Sequence, residues 1–421
     1  MAAGGAPKAH IMAAGLGTRL APLTDRTAKP MAPIVNRPVM EHILRLLARH
    51  GVTEVCINLH HYADDIRGYF GDGRAFGLNA HYGFEEKLLG TAGGTGGYRE
   101  LLGDDTFLVV SGDALTDVDI SAFVAAHRAH GGIATIAVKE VDDPSRYGVV
   151  VHDADGRVTG FQEKPAAADA LSRLCNCGIY AFEPAIFDVI APGVFCDYAK
   201  DVFPRLLVDD EPFHVWRLET YWNDVGSLRE YRRGNFDALR GRVAVSMPGR
   251  ELRLGVWVGD DTEVADDVEI VPPVLIGDGC RVAAQARLIG PLVIGDGCTI
   301  GHGAVLEGVI HWNGTATGHR AALAGGIVGR AVRIGDDAVV HRGAVIGDGC
   351  VVGDGAVVRP DARLGPQTAV DAVPAAPESA ASEAPAPESA ASEAPAPESA
   401  ASGPAAAPSA EPESAASTDL A

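Results

Sequence analysis

Spacing of apolar residues divides the chain into three textures. From about Lys8 to Leu239, short β-rich runs alternate with helical patterns. His10–Ala14 reads as a strand ending in a Gly-rich loop. Val39–His50 places Met40, Ile43, Leu44 and Leu47 on one helical face. A strand at Glu54–Leu59, a helix at Ala63–Phe70 and an apolar strand at Phe107–Ser111 follow. A helix at Ser121–His130 and a strand at Ile133–Val138 continue the series. Such alternation predicts an α/β domain on a mostly parallel sheet, with ligands gathering at the carboxyl ends of strands.

From about Leu252 to Gly365 the pattern becomes a repeat. An aliphatic–Gly pair recurs at Val258-Gly259, Ile276-Gly277, Ile294-Gly295 and Ile300-Gly301. It returns at Val328-Gly329, Ile334-Gly335, Ile346-Gly347, Val352-Gly353 and Leu364-Gly365. Within each set every step is a multiple of six, the signature of a parallel β-helix whose aliphatic side chains stack inward. Between the sets, from Ile300 to Val328, the step is not a multiple of six. A loop inserted near His311-Trp312-Asn313-Gly314 is the expected cause of this phase break. Beyond Gln367 an Ala/Pro/Ser/Glu-rich repeat lacks aromatic residues and has nothing to bury, so disorder is expected. The boundaries are accordingly 8–240, 252–366 and 367–421.

Composition removes some function classes. The formal charge of −21 argues against a general affinity for nucleic acid or anionic membranes. No segment offers the apolar length of a membrane span or a secretory signal. Seven cysteines are scattered without the paired spacing of a zinc site, which suits reduced thiols in a cytoplasmic protein.

Chemistry concentrates in the first loop, Gly15-Leu16-Gly17-Thr18-Arg19-Leu20-Ala21-Pro22-Leu23-Thr24, followed by Lys29-Pro30-Met31. Two glycines after a strand let backbone N–H groups approach a phosphate. Arg19 offers a planar fork of donors, and Lys29, one of only six lysines, adds a compact charge. A Walker A loop is excluded because the chain has no Gly-Lys pair. The dinucleotide fingerprint fails because Leu20 stands at its third glycine.

The pattern G-x-G-T-R-L-x-P-L-T-x-x-x-x-K-P-M resembles the signature of the sugar-1-phosphate nucleotidyltransferases. The likeness continues through Leu89-Gly90-Thr91-Ala92-Gly93, Gly112-Asp113, Phe161-Gln162-Glu163-Lys164-Pro165, Asn176-Cys177-Gly178 and Trp222-Asn223-Asp224-Val225-Gly226. Its texture is most similar to the mannose-1-phosphate guanylyltransferase branch. The resemblance implies a Rossmann-like nucleotidyltransferase domain followed by a left-handed β-helix. It also implies Mg²⁺-dependent synthesis of an NDP-sugar from an NTP and a sugar 1-phosphate, with GTP and mannose 1-phosphate the first expectation. Glucose 1-phosphate uridylyl or thymidylyl transfer, and a silent regulatory paralogue, are the alternatives.

On this resemblance Gly15, Gly17 and Thr18 would contact the NTP phosphates, with Gly90 and Gly112 also at the nucleotide. Arg19 would stabilise departing pyrophosphate, and Lys29 would hold phosphate oxygens near the reacting phosphorus. Asp113 and Asp224 would bind Mg²⁺. Glu163 would hold sugar hydroxyls, Lys164 the sugar phosphate, and Asn176 and Gly178 would complete the sugar pocket. Glu86, four residues before Gly90, is a further acidic candidate. The β-helix would serve homo-oligomeric assembly or regulation. His302, His311, His319 and His341 raise the alternative of a second, acyl-transferring site.

Overall fold

A computed structural model describes residues 6–372. The apolar runs of the first domain form one nine-stranded sheet. Its strands are β1 (Lys8–Met12), β2 (Glu54–Leu59), β3 (Asn79–Phe84), β4 (Phe107–Ser111), β5 (Ala134–Glu140), β6 (Gly148–His152), β7 (Val158–Glu163), β8 (Leu174–Phe182) and β9 (Phe213–Arg217). The main path runs β7-β6-β8-β4-β1-β2-β3, with β5 pairing β8 and β9. Strands β1, β2, β3 and β4 are mutually parallel, so their carboxyl ends share one edge. Strand β8 runs antiparallel to β4 and β5. The helices include α1 (Val39–Arg49), α2 (Ala63–Phe70), α3 (Gly90–Gly96), α4 (Ile120–His130) and α5 (Leu228–Leu239). Met40, Ile43, Leu44 and Leu47 of α1 are fully buried, as the spacing predicts.

Four of the seven residues of α3 are glycine, which propensity alone would not make helical. Close packing explains them. A Cβ on Gly90 would lie 2.4 Å from the Cys196 carbonyl oxygen, and one on Gly93 2.4 Å from that of Val194. One on Gly94 would lie 2.6 Å from both Asn58 Nδ2 and Glu85 Oε1.

In the second domain three sheets, parallel except for the entering strand Arg250–Arg253, wind into a β-helix. One inward column reads Val258, Ile276, Ile294, His311, Val328, Ile346 and Leu364. The phase break is not an inserted loop. Regular coils set Val258 on Ile276 and Ile276 on Ile294, three six-residue repeats apart. Ile294 then pairs His311, and His311 pairs Val328, and each of these two steps is one residue short. Each shortened coil loses its residue at a corner, where Gly308 (φ 61°) and Gly325 (φ 62°) make the tighter turn. The expected end at 366 also moves. Ala369–Val370 pairs with Val351–Val352, and Gln367 Oε1 accepts from Arg26 Nη2 at 2.8 Å. The remainder of the expected disordered tail, 373–421, lies outside the described residues.

One β-helix sheet turns its outward residues, among them Leu275, Val293, Ile310 and Ile327, onto the α/β domain. At the centre of this seam Trp312 Nε1 donates to Tyr231 Oη (2.8 Å), which donates to the Pro33 carbonyl (2.6 Å). All seven cysteines are buried and unpaired. Among the described residues no helix is long and apolar enough to cross a membrane.

Candidate active site

The Gly-rich loop leaves the carboxyl end of β1 and is fastened from below. Ala13 N donates to Asn58 Oδ1 (2.8 Å), Asn58 Nδ2 donates to Glu85 Oε1 (2.7 Å), and Leu89 N donates to Glu85 Oε2 (2.9 Å). This buried pair ties the loop after β1 to the approach to Gly90. The acid here is Glu85, 6% exposed, while Glu86 faces solvent. Sequence reasoning missed Asn58 and Glu85. The signal for Asn58 was a polar residue among the buried positions of β2, since a buried amide demands a partner.

Gly17 adopts a left-handed conformation (φ 66°), and a Cβ there would lie 2.6 Å from Lys29 Cβ. The loop therefore rests on Lys29, which is only 7% exposed. Lys29 Nζ donates to Asp113 Oδ2 at 2.5 Å and to the Asp224 carbonyl at 3.1 Å. Ser111 Oγ donates to Asp113 Oδ1 at 2.6 Å. Burial by itself would raise the Asp113 pKa. The Lys29 charge and hydrogen bond, with the Ser111 hydroxyl, outweigh it and hold the carboxyl below its ordinary value.

Gly15, Gly17, Lys29, Gly90 and Asp113 line one cavity of about 320 Å³, with Leu88 and Phe195 among its apolar walls. Asp224 joins through Lys29, and a Cβ on Gly226 would lie 2.0 Å from Asp224 Oδ2, so a larger residue there would push that carboxylate aside. Gly112 does not line the cavity. It is buried, and its N–H donates to the Met12 carbonyl at 3.0 Å, so it lets β4 close against β1. Thr18 and Arg19 are exposed on the loop, and Arg19 has no hydrogen bond or ion pair among the described residues.

On the other side, the β8–β5 register shifts between Asn176 and Tyr180. This bulge holds Gly178 at φ 69°, with its N–H donating to Asn176 Oδ1 (2.9 Å). A Cβ on Gly178 would lie 3.2 Å from Ser111 Cβ, which places it beside the support of Asp113. Glu163 and Lys164 are exposed at the end of β7, off the cavity wall, and pair with each other at 2.8 Å. Lys164 N donates to the Tyr147 carbonyl (3.1 Å), and Tyr147 Oη reaches Asp224 Oδ1 at 3.5 Å. The two edges of the site thus meet at Asp224.

Among the described residues no three His, Cys, Asp or Glu side chains converge on a metal position. The Asp113 carboxylate lines the cavity and the Asp224 carboxylate lies by Tyr147; such donors would suit Mg²⁺, which takes one or two carboxylates and completes its shell with water and phosphate oxygens. In the β-helix His311 is fully buried in the inward column, with both ring nitrogens unpartnered. That position removes it as an acyl-transfer base.

A Gly-rich loop at parallel strand ends, a buried Lys–Asp pair and an attached β-helix define a nucleotide-handling transferase of the NDP-sugar type. The chain belongs to the nucleotidyl transferase family, whose model matches residues 8–240. The EIF2B subunit epsilon LbH domain model, a left-handed β-helix, matches residues 253–358. The UTP–glucose-1-phosphate uridylyltransferase of Synechocystis sp. is 42% identical over 286 residues, covering 63% of this chain and 73% of that protein. The mannose-1-phosphate guanylyltransferase of Mycobacterium tuberculosis is 35% identical, covering 55% of this chain and 65% of its own. "Probable mannose-1-phosphate guanylyltransferase 3" of Oryza sativa subsp. japonica is 32% identical, covering 80% and 94%. A Bacillus anthracis structure assigned as a glucose-1-phosphate thymidylyltransferase shares the fold (TM-score 0.52, 24% identity, covering 57% of this chain and 98% of that one).

Proposed function

We propose that the chain joins UTP to glucose 1-phosphate, forming UDP-glucose and pyrophosphate with Mg²⁺. The Lys29–Asp113 pair on the cavity floor is the observation that carries the transfer reading, because both charges needed to receive a triphosphate stand there together. The base and sugar rest on the 42% identical uridylyltransferase. GTP and mannose 1-phosphate form the second reading, supported by relatives whose match extends over 80% of this chain.

Two polyanions must meet, so charge neutralisation and positioning supply most of the rate. The Gly15 and Gly17 backbone would receive the NTP phosphates while Lys29 neutralises oxygens near the α-phosphorus. A sugar-phosphate oxygen attacks that phosphorus in line, the α–β bridging bond breaks, and pyrophosphate leaves. The attacking oxygen is already ionised, so no general base is required. Arg19, exposed and unpaired, is available to the departing pyrophosphate. Asp113 and Asp224 would hold Mg²⁺, which would supply Lewis-acid stabilisation of phosphate charge. Glu163 would hold sugar hydroxyls and Lys164 the sugar phosphate, with Asn176 and Gly178 completing the pocket. Thr18 and Gly90 would border the nucleotide. A homo-oligomer built through the β-helix would use the two sheets that do not cover the α/β domain.

The test is pyrophosphate release by purified protein with Mg²⁺, crossing four NTPs with glucose, mannose and N-acetylglucosamine 1-phosphates. Release with UTP and glucose 1-phosphate alone supports the first reading. Preference for GTP and mannose 1-phosphate replaces it with the second. Silence from folded, nucleotide-binding protein would mean a regulatory paralogue.

A further inference from the structure

A second cation-lined cavity, of about 310 Å³, lies where α5 meets the β-helix. Arg229 and Arg232 of α5 face Arg342 and Arg363 across it. Arg229 is exposed, with no hydrogen bond or ion pair among the described residues. Arg232 gives Nη2 to the Gly308 carbonyl (3.1 Å) and lies over the Phe236 ring (4.4 Å), but its buried Nε has no partner. Arg363 Nη1 donates to the carbonyls of Gly343, Asp361 and Ala362. Of the four, only Arg342 forms an ion pair among the described residues, with the Glu307 carboxylate.

Four arginines with one ion pair among them, and one further carboxylate (Asp361) against Gly343 of the lining, stand out in a chain with 56 acidic and 35 basic residues. Burial, and then the charges of Arg342 and Arg240, lower the Arg232 pKa, so the cluster bears a repulsion that an anion would relieve. The shortened corners at Gly308 and Gly325 belong to the same wall: Arg232 binds the first, and the second lines the cavity.

We infer that this cleft binds a phosphorylated small molecule bridging α5 and the β-helix. Guanidinium forks match phosphate oxygens in geometry and charge. Leu228, Ile327, Ala344 and Val345 add an apolar lining that suits a carbon skeleton better than a bare ion. Helix α5 begins at Leu228, close behind Asp224 in the chain, so a ligand pinning α5 also acts on the catalytic cavity.

Calorimetric titration of the full chain with inorganic phosphate, ribose 5-phosphate and AMP tests the inference, with Lys29→Met separating this cleft from the catalytic cavity. At least one probe should bind wild type and Lys29→Met alike. Arg229→Gln should weaken that binding about tenfold or more, as loss of a charge-assisted pair does, without lowering the melting temperature of the free protein. Arg229→Gln/Arg363→Gln should abolish it. Ribose 5-phosphate binding tighter than inorganic phosphate identifies a sugar phosphate as the ligand class, and a further gain with AMP identifies a nucleotide. Absence of binding by all three, or binding lost in Lys29→Met and kept in Arg229→Gln, overturns the inference. The probe that binds should also change pyrophosphate release by wild type and leave Arg229→Gln unresponsive. That readout rests on the proposed nucleotidyl transfer while the titration does not, so the two failures are distinguishable.

Discussion

The α/β domain and the β-helix differ in whether they bury charge. In the first, buried charge is paired: Lys29 lies against Asp113, and the 1% exposed Glu41 accepts from Arg37 and Arg45 at 2.7 Å each. In the second, the inward columns hold only neutral groups: Thr315 donates its hydroxyl to the Gly329 carbonyl at 2.9 Å, while two other polar members are left unpartnered. His311 and Thr317, in one coil, both have side-chain atoms without a hydrogen bond. The β-helix keeps its charges outside, where Arg342 pairs with Glu307 and Arg363 donates to backbone carbonyls. A paired buried charge needs a full set of neighbours to fix it, which an irregular loop-built site provides. A coil assembled from three short, near-identical repeats has no room for such a set.

The largest effect expected from breaking this contrast is at Lys29. Lys29→Met should reduce pyrophosphate release by about a hundredfold or more, the scale of losing one preorganised electrostatic group. Asp113→Asn keeps the shape and the Ser111 contact, and should cost as much in turnover. Circular dichroism and thermal melting of Asp113→Asn should stay close to wild type. Its wholesale unfolding would make Asp113 a structural residue. The pH dependence is also fixed in sign. Because the Asp113 pKa is held below its ordinary value, the pair's stabilisation is complete above the unfolded pKa of about 4 and is lost as pH falls through the folded one. Any acid limb of turnover near pH 6 therefore belongs to another group.

A smaller effect is expected where the two regions join. Trp312 is 1% exposed and carries the hydrogen bond to Tyr231. Trp312→Ala should lower stability by about 3–5 kcal/mol, read by denaturant unfolding. Trp312→Phe, which keeps most of the apolar area, should cost less. Substrate KM should change little in either, because no part of Trp312 lines the catalytic cavity. A collapse of KM would show that the cavity depends on the docked β-helix.

Periodicity made much of this legible in the sequence. Glu54–Leu59, Ala63–Phe70 and Phe107–Ser111 fold over the expected bounds because each is a local pattern read at one period. The repeat likewise announced the β-helix, but not the cause of its phase break. The jump from Ile300 to Val328 fits an insertion or two deletions equally well until the register of facing strands is seen. In the site, the residues of the first loop and Asp113 were legible as motif. Asn58 and Glu85 were not, because their roles arise only when β2 and the loop before α3 meet. Gly112 shows the reverse: a glycine beside Asp113 in the motif, where the structure shows strand packing.

The smallest effect lies inside the β-helix and tests whether its neutral interior is a requirement or a tolerance. His311 stands between Ile294 and Val328 in the column, and burial lowers its pKa from 6.5 to about 4. The unfolded chain then binds a proton that the folded one refuses between those values. This contribution to stability is whole above pH 6.5 and is lost as pH falls toward 4. A leucine there has similar volume, no proton to refuse and no nitrogens to leave unpartnered. His311→Leu should therefore match wild type to within about 1 kcal/mol at pH 7.5 and exceed it by about 2 kcal/mol at pH 5. Urea unfolding at the two pH values reads the difference. Equal pH slopes in both proteins would mean that the coil opens to protonate His311 while still folded, so that the column is less closed than its packing implies.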